Sequence, residues 1–360
     1  MTAAYINKIA TALPTHDVHK AFVQYGHSQL EGDERRAQLF GRMAERAAIE
    51  HRYSYLDPDP GNAGRPFSAV DFYRRGKFPS TAARMQLFES QAPLLAELAV
   101  ERLNLGPARE RLTHFVISCC TGFSAPGLDI EIIGRCRLPT SMERTLIGFM
   151  GCYAAMNALK LARHIVRSEP QARVLVLNLE LCSLHLQETT DLDEILSFLI
   201  FGDGCAASLV TAEPEGFAMD SFYSLLVPDT RGLITWAIGD SGFNMVLSGQ
   251  VPVTILEALH MKAGEILKGR PISAIDLWAV HPGGRSVLDA VERALDLKPA
   301  ALSASREILR QVGNVSSATV MFVLESMLRS AGKGLSGCAM SFGPGVIAET
   351  MLFHTPGRQP

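Results

Sequence analysis

The sequence predicts an α/β protein that is built from two related halves. From about residue 113, short apolar runs of buried-strand length, such as "HFVISC", "RVLVLNLE" and "CAASLVT", alternate with helical patterns. This alternation is typical of layered α/β folds. Two earlier patterns, at 33–50 and 80–104, also predict helices.

The two halves are indicated by a succession of elements that occurs twice with nearly the same spacing. A strand ends at Cys120, and a helix opens 32 residues later at Cys152. A second strand ends at His281, and a second helix opens 33 residues later at Asn314. In both halves a further strand ends 28 residues beyond the helix opener. We place the boundary near residue 213, so that the halves are residues 1–212 and 213–360.

Composition and charge argue against several classes of function. The chain has 360 residues, 47% hydrophobic and 20% charged, which is the balance of a globular protein. Its net charge of −3 gives no basic field, so we expect no nucleic-acid partner. No apolar run is long enough to span a membrane, and the first residues lack a secretion signal. The seven scattered cysteines have no metal-ligand spacing, so we expect reduced thiols, a cytoplasmic location and no metal site.

Cys152 lies where a thiol can become reactive. It follows Gly151 in "GFMGCYAA", directly before an amphipathic helical pattern. Unpaired N–H groups at a helix start favour thiolate and lower the thiol pKa. The alternative is a small residue that is packed in the core.

His281 and Asn314 strengthen the catalytic interpretation of Cys152. His281 ends an apolar strand in "AVHPGGR", and active sites gather at such strand ends. Asn314 opens the helix of the second half, in the place that Cys152 takes in the first. If the halves are duplicates, the two helix starts face each other with His281 between them. The site would then hold a nucleophile, a base and a neutral amide donor. Taken singly, His281 could be a core histidine and Asn314 only a helix cap.

Two glycine-rich turns accompany these residues. The turn "SFGPGV" at 341–346 can bring backbone N–H groups close to a bound carbonyl, whereas "FGDGCA" at 201–206 is expected to be a structural turn.

Five motifs in one order, "GFMGCYAA", "FGDGCAAS", "AVHPGG", "GNVSSAT" and "SFGPG", resemble the type III polyketide synthases, the chalcone-synthase-like branch of the thiolase superfamily. The resemblance runs from about residue 5 to 353. It implies a thiolase-like fold of five αβαβα layers and a homodimer. It also implies that Cys152 carries the acyl group and that His281 and Asn314 promote decarboxylation.

The resemblance further implies residues that line the substrate cavity. Phe217 and Met245 fall at the two gatekeeper positions, the second of which is usually phenylalanine. The other cavity residues are Cys120, Thr121, Ala125, His185, Trp236 and Ser316.

A coenzyme A tunnel is also implied. Arg42 and Arg46 match its basic helix, where a spacing of four places both guanidinium groups on one face. Leu39 stands where plant members carry a lysine. The remaining contacts would come from Gly283, Gly284 and Ser286. The alternative for the two arginines is a solvated helix face.

The implied reaction needs no metal or redox cofactor. An acyl-CoA starter loads onto Cys152, malonyl-CoA loses carbon dioxide, and the carbanion extends the chain before cyclisation. The segment "GLITWAIGDSGFNMVLS" is similar to bacterial members that take fatty acyl starters and make alkylpyrones or alkylresorcinols.

Three alternatives remain open from the sequence. A ketoacyl synthase of fatty acid initiation would extend only once. A papain-like cysteine protease has the same order of Cys, His and Asn, but "GFMGCYAA" lacks its local signature. A non-catalytic protein on this fold would leave Cys152 inert.

Overall fold

A computed structural model describes residues 2–64 and 68–357 of the chain. The helices are α1 (His19–Gln29), α2 (Glu34–Arg46), α3 (Ala69–Phe72), α4 (Thr81–Arg102), α5 (Leu128–Arg135), α6 (Ala154–Ser168), α7 (Leu192–Ile200), α8 (Val251–Ile266), α9 (Arg285–Ala294), α10 (Ser303–Val312) and α11 (Thr319–Ser330). The strands are β1 (Tyr5–Ala12), β2 (His16–Asp17), β3 (Tyr53–Ser54), β4 (His114–Cys119), β5 (Glu143–Gly148), β6 (Val174–Leu181), β7 (Asp203–Thr211), β8 (Phe217–Leu226), β9 (Ile234–Gly239), β10 (Gly242–Leu247), β11 (Leu277–Val280), β12 (Ser336–Gly343) and β13 (Ile347–His354).

The large sheet has two halves with the same internal order. Its nine strands run β11-β12-β13-β8-β1-β7-β6-β4-β5. Outward from the seam between β1 and β8, each half has an antiparallel strand, a second antiparallel strand and then a parallel one. The seam itself consists of two residue pairs, Tyr5–Ala218 and Ile6–Phe217. The repeated spacing in the sequence thus corresponds to a repeated topology, which confirms the expected α/β fold.

Alternation along the strands produces five layers. In β4, Phe115 and Ile117 face a core shared with α4, whereas Val116 faces a core shared with α6 and α11. In β11 and β12, Ala279 and Ala339 face that same middle core, and their neighbours face α8, α9 and α10. The order is therefore helices, one half of the large sheet, middle helices, the other half of the large sheet, and helices again. Helix α11 is buried almost all round, as a middle layer requires.

The two helices expected near the N-terminus are present and shorter than their patterns. The first ends at Arg46, and the chain then turns through a left-handed backbone at Ala48. The second, α4, begins after Ser80, whose hydroxyl accepts a hydrogen bond from the Ala83 N–H. Among the described residues, no helix combines the length and apolar character needed to cross a bilayer.

The β9–β10 hairpin forms a two-stranded sheet of its own beside the large one. The N-terminus of α4 holds its turn, because the Thr81 N–H donates to the Asp240 carbonyl at 2.8 Å and the Thr81 hydroxyl accepts from the Gly242 N–H at 2.8 Å. This hairpin carries Trp236 and Met245 opposite each other. Its position therefore decides where two of the expected cavity residues lie.

Candidate active site

Cys152, His281 and Asn314 line one cavity of about 760 Å³. Cys152 lies in a short 3₁₀ turn, Gly151–Tyr153, directly before α6. His281 follows β11, and Asn314 precedes the corresponding turn before α11. The two halves of the fold thus contribute the three groups to one site, with Cys152 inside one turn and Asn314 two residues before the other.

The thiol of Cys152 is partly exposed to this cavity, and its sulfur lies 3.7 Å from the Ser316 hydroxyl. Burial, with a smaller contribution from the negative charge of Glu180, raises the pKa of Cys152 to about 11. Burial thus opposes the lowering that we expected at the helix start, and it raises the pKa more than the hydrogen bonds of Ser316 and Asn314 lower it. Cys152 precedes the α-helix by one 3₁₀ turn and is not its first residue.

His281 is buried, and in the described part of the chain neither of its ring nitrogens has a hydrogen-bond partner. Burial lowers its pKa to about 3, so the imidazole is neutral. Its backbone N–H donates to the Met340 carbonyl at 2.8 Å, which fixes the residue at the strand end. Burial thus favours the thiol at Cys152 and the neutral imidazole at His281 over their charged forms. Two unpartnered nitrogens leave the ring free to exchange protons with a bound substrate.

Asn314 is oriented by its own turn. Its side-chain oxygen accepts from the Ser316 N–H at 2.8 Å and from the Thr319 hydroxyl at 3.2 Å. Its NH₂ group donates to the Gly283 carbonyl at 3.3 Å. Because the oxygen is already occupied, the amide presents a donor to the cavity.

The "SFGPG" turn approaches the nucleophile through its backbone, as expected. Gly343 and Pro344 line the cavity. A Cβ built on Gly343 would lie 3.2 Å from the Cys152 nitrogen. The same Cβ would lie 2.8 Å from Cδ1 of Tyr153, so a side chain at position 343 would displace the turn that carries Cys152 or the Tyr153 ring.

Glu180 is a buried group behind the nucleophile that the sequence marked only as a strand end. Its carboxylate accepts from the Cys120 N–H at 2.9 Å, the Thr121 hydroxyl at 2.9 Å and the Ser317 hydroxyl at 2.6 Å. Burial raises its pKa to about 7. The carboxyl ties the end of β6 to the segments on both sides of the site.

Five of the expected cavity residues do line the cavity: Cys120, Thr121, Trp236, Met245 and Ser316. Phe217 does not, and that expectation was wrong. It lies at the start of β8, paired with Ile6 across the seam, and its ring packs 4.7 Å from that of Phe353 in the middle core. Phe201 lines the cavity instead. The sequence signal was present in "FGDGCAAS", a motif whose first residue reaches the cavity although we expected a purely structural turn.

Ala125 and His185 also lie off the cavity wall. Ala125 is exposed in the surface loop that leads to α5. His185 is fully buried behind the wall, where Phe243 stacks on it. Neither residue contacts the space that a substrate would fill.

The cavity opens between α2 and the start of α9. Arg46 lines this mouth together with Gly283, Gly284 and Ser286. Arg42 is exposed and is not on the wall, because the face of α2 that meets the cavity carries Met43, Arg46 and Ala47. Arg285, which the sequence reasoning missed, also lines the mouth, and its guanidinium lies 3.4 Å from the Arg46 carbonyl.

Comparison with known proteins identifies the family. The model of the chalcone and stilbene synthase N-terminal domain matches residues 2–214, and that of the C-terminal domain matches residues 218–356. The chain belongs to the chalcone and stilbene synthase family, the type III polyketide synthases.

Known relatives align with this chain over nearly its full length. The alpha-pyrone synthesis polyketide synthase-like Pks18 of Mycobacterium tuberculosis is 33% identical, with 98% of this chain and 91% of that protein covered. The structure of PKS-I from the brown alga Ectocarpus siliculosus is 30% identical, with 99% of each chain covered and a TM-score of 0.90. The type III domain of Steely1 from Dictyostelium has the same fold, at 23% identity and a TM-score of 0.89 over 98% of this chain and 99% of that one.

As a type III polyketide synthase, the chain is an acyl-transferring, decarboxylating condensing enzyme with a thiolase-type fold, in a family that uses acyl-CoA and malonyl-CoA. This assignment replaces the three alternatives: the single-extension ketoacyl synthase, the papain-like protease and the non-catalytic protein. In the part of the chain that the structure describes, no three His, Cys, Asp or Glu side chains are placed to hold a metal ion.

Proposed function

We propose that this type III polyketide synthase condenses a fatty acyl-CoA starter with malonyl-CoA and releases the chain as an α-pyrone. The observation that carries the proposal is the arrangement of Cys152, His281 and Asn314 around one largely apolar cavity. An apolar cavity favours an alkyl starter, because burial of each CH₂ contributes about 0.8 kcal/mol. The α-pyrone is proposed because the similar Pks18 is described as a synthase of such compounds.

Loading begins with proton transfer from the Cys152 thiol to the neutral His281. The sulfur attacks the starter thioester, the C–S bond to coenzyme A breaks, and the departing coenzyme A sulfur takes the proton from His281. Arg46 and Arg285 at the mouth would contact the coenzyme A phosphates. Gly283, Gly284 and Ser286 would contact the pantetheine arm through their backbones.

Extension uses the same three residues. Malonyl-CoA loses carbon dioxide, and the electron pair of the broken bond forms an enolate whose oxygen accepts hydrogen bonds from His281 and Asn314. Phe201 would present an apolar wall that disfavours the carboxylate and so promotes its loss. The enolate carbon attacks the acyl group on Cys152, the C–S bond to the enzyme breaks, and the lengthened β-ketoacyl chain is now on coenzyme A. It transfers back to Cys152 as the starter did, with release of that coenzyme A, before the next malonyl-CoA enters. After a second extension, the enol oxygen attacks the thioester carbonyl and expels coenzyme A, which closes the lactone.

The test is incubation with malonyl-CoA and a ladder of acyl-CoA starters, with products identified by mass. Alkylpyrones should form with the native chain and be absent with Cys152→Ala. Cys338→Ala is the matched control, since Cys338 is also a free cysteine but is buried in β12 away from the cavity. An undiminished yield from Cys152→Ala would contradict the proposal. Resorcinols in place of pyrones would contradict the proposed release. Equal activity after dialysis against EDTA is expected, because the enolate needs only protein donors.

We also propose a cytoplasmic homodimer that forms through the edge of β5. This strand ends the large sheet, and Leu146 on it is 56% exposed. Phe123 and Ile130 nearby in the sequence are also about half exposed. A second copy on this edge would cover the apolar side chains and the free backbone groups. Light scattering should report a dimer that Leu146→Arg disrupts. Met261→Arg, on the exposed face of α8, should leave the dimer intact.

A further inference from the structure

His185 occupies an unusual place for a buried histidine, since both ring nitrogens have backbone partners from different segments. Its Nε2 lies 2.6 Å from the Thr121 carbonyl, which can only accept, so this nitrogen carries the proton. Its Nδ1 accepts from the Phe243 N–H at 3.1 Å. The two partners therefore fix one neutral tautomer.

Those partners belong to two walls of the cavity. Thr121 and Cys120 follow β4 and line one side. Phe243 lies on β10, in the hairpin that presents Trp236 and Met245 from the adjoining wall. His185 touches neither the cavity nor the nucleophile, but it joins these two walls directly.

Trp236 makes a second link between the same walls. Its indole N–H donates to the Cys120 carbonyl at 2.7 Å. Its ring meets the imidazole of His185 edge-on at 5.3 Å and the ring of Phe243 at 5.6 Å, while Phe243 stacks on that imidazole at 4.1 Å. Two consecutive carbonyls, those of Cys120 and Thr121, are thus held by the indole and the imidazole.

The backbone around His185 is itself held in place. The Arg84 guanidinium donates to the carbonyls of Leu184 at 2.5 Å and Leu186 at 2.8 Å, on either side of it. The Gln187 amide donates to the His185 carbonyl at 3.1 Å and to Ser241 of the hairpin at 3.0 Å. The imidazole therefore acts from a fixed base. The hairpin, by contrast, belongs to no larger sheet and depends on such contacts for its position.

We propose that His185 is a positioning residue that sets the spacing of the two cavity walls and thereby the starter lengths that the enzyme accepts. The proposal rests on the function given above for the identity of the starter. The clamp formed by His185, Trp236, Phe243 and the Cys120–Thr121 carbonyls can be tested without any substrate.

The first measurement compares His185→Phe with His185→Gln. Phenylalanine keeps a ring against Phe243 and removes both hydrogen bonds, whereas glutamine keeps one donor and one acceptor. Across a ladder of acyl-CoA starters, His185→Phe should change the ratio of kcat/KM between starters four carbons apart by about tenfold, the scale of pocket discrimination between chain lengths. His185→Gln should stay near the native ratio. Decarboxylation of malonyl-CoA without a starter should stay within about twofold, because His281 and Asn314 are untouched.

The second measurement needs no activity. The chain has two tryptophans, and Trp278 is buried in the outer core of the C-terminal half. In a Trp278→Phe background, acrylamide quenching reports Trp236 alone, and His185→Phe should increase its quenching constant about twofold. Unchanged quenching would overturn the clamp whether or not the proposed starter is correct. Increased quenching with no fatty acyl turnover would instead contradict the proposed function and leave the clamp supported.

A merely structural role predicts a different result. It would lower kcat/KM by the same factor for every starter, together with the melting temperature, and this outcome overturns the proposal. The proposal is also overturned if His185→Gln changes the kcat/KM ratios between starters as much as His185→Phe does. If His185→Phe is insoluble, the starter profile of Trp236→Phe tests the proposal instead. This variant keeps an aromatic ring and loses the hydrogen bond to the Cys120 carbonyl. An unaltered starter profile in that variant overturns the proposal.

Discussion

Gly151→Ala tests whether the backbone before the nucleophile must be glycine. Gly151 has a φ of 73°, and a Cβ there would lie 2.3 Å from Cδ of Pro344. The left-handed conformation costs a residue with a Cβ about 1–2 kcal/mol. Forcing a methyl group into a packed contact costs about 1–3 kcal/mol more. The free energy of unfolding should therefore fall by about 2–5 kcal/mol.

Gly269→Ala is the matched control. Gly269 has nearly the same φ, 74°, but no atom lies within 4 Å of the Cβ position. It should lose only the conformational part, about 1–2 kcal/mol. Urea unfolding measures both variants, and the difference between them isolates the contact with Pro344.

The same contact should affect loading. Relief of the clash moves either Pro344 or the turn that carries Cys152, and a displacement of about 1 Å can cost about 100-fold in rate. Single-turnover formation of acyl-Cys152, followed by mass, should slow by about that factor in Gly151→Ala and remain native in Gly269→Ala. Equal stability losses and an unchanged loading rate in Gly151→Ala would refute the reasoning.

Three further predictions concern the site. Phe201→Leu should slow malonyl-CoA decarboxylation about tenfold. Phe217→Leu should lower only the free energy of unfolding, by about 1 kcal/mol, because that ring lies in the middle core. Equal decarboxylation rates in the two variants would contradict the assignment of Phe201 to the cavity wall. Burial raises the pKa of Glu180 from 4.5 to about 7, so its contribution to stability is full below pH 4.5 and is lost as the pH rises to about 7. Between pH 5 and pH 7 the native urea midpoint should thus fall relative to that of Glu180→Gln, and parallel curves would contradict this. A thiol pKa of about 11 predicts that the rate of iodoacetamide labelling of Cys152, measured without substrate, keeps rising through pH 10. A plateau below pH 8 that His281→Ala removes would contradict this, because it would show a Cys152 thiolate paired with a His281 imidazolium.

Spacing and motif order were sufficient to predict the fold and the meeting of Cys152, His281 and Asn314. Equal intervals in the two halves reflect equal topology, and equal topology brings both helix starts to one site. The boundary near residue 213 remains a prediction, although the two family models meet between residues 214 and 218.

The errors arose where tertiary contacts decide orientation. A phenylalanine at a strand start can face a cavity or a core, and only the seam with β1 turns Phe217 inward. His185 follows the same logic, since its partners lie 64 and 58 residues away in the chain. The protonation of Cys152 depends on how much water the folded cavity admits, which no local pattern records.

Two residue pairs at the β1–β8 seam are a narrow bridge between halves that must align a sulfur with an imidazole and an amide. That alignment falls mainly to the middle layer, in which α11 packs on β1 and β7 of the other half and both α6 and α11 meet the turn at Ser316–Ala318. A change of volume at Ala158 or Val323 in that layer therefore alters the separation of reacting groups from a distance. The volumes of the side chains in the middle layer therefore set the distances between the reacting groups, in addition to stabilising the fold.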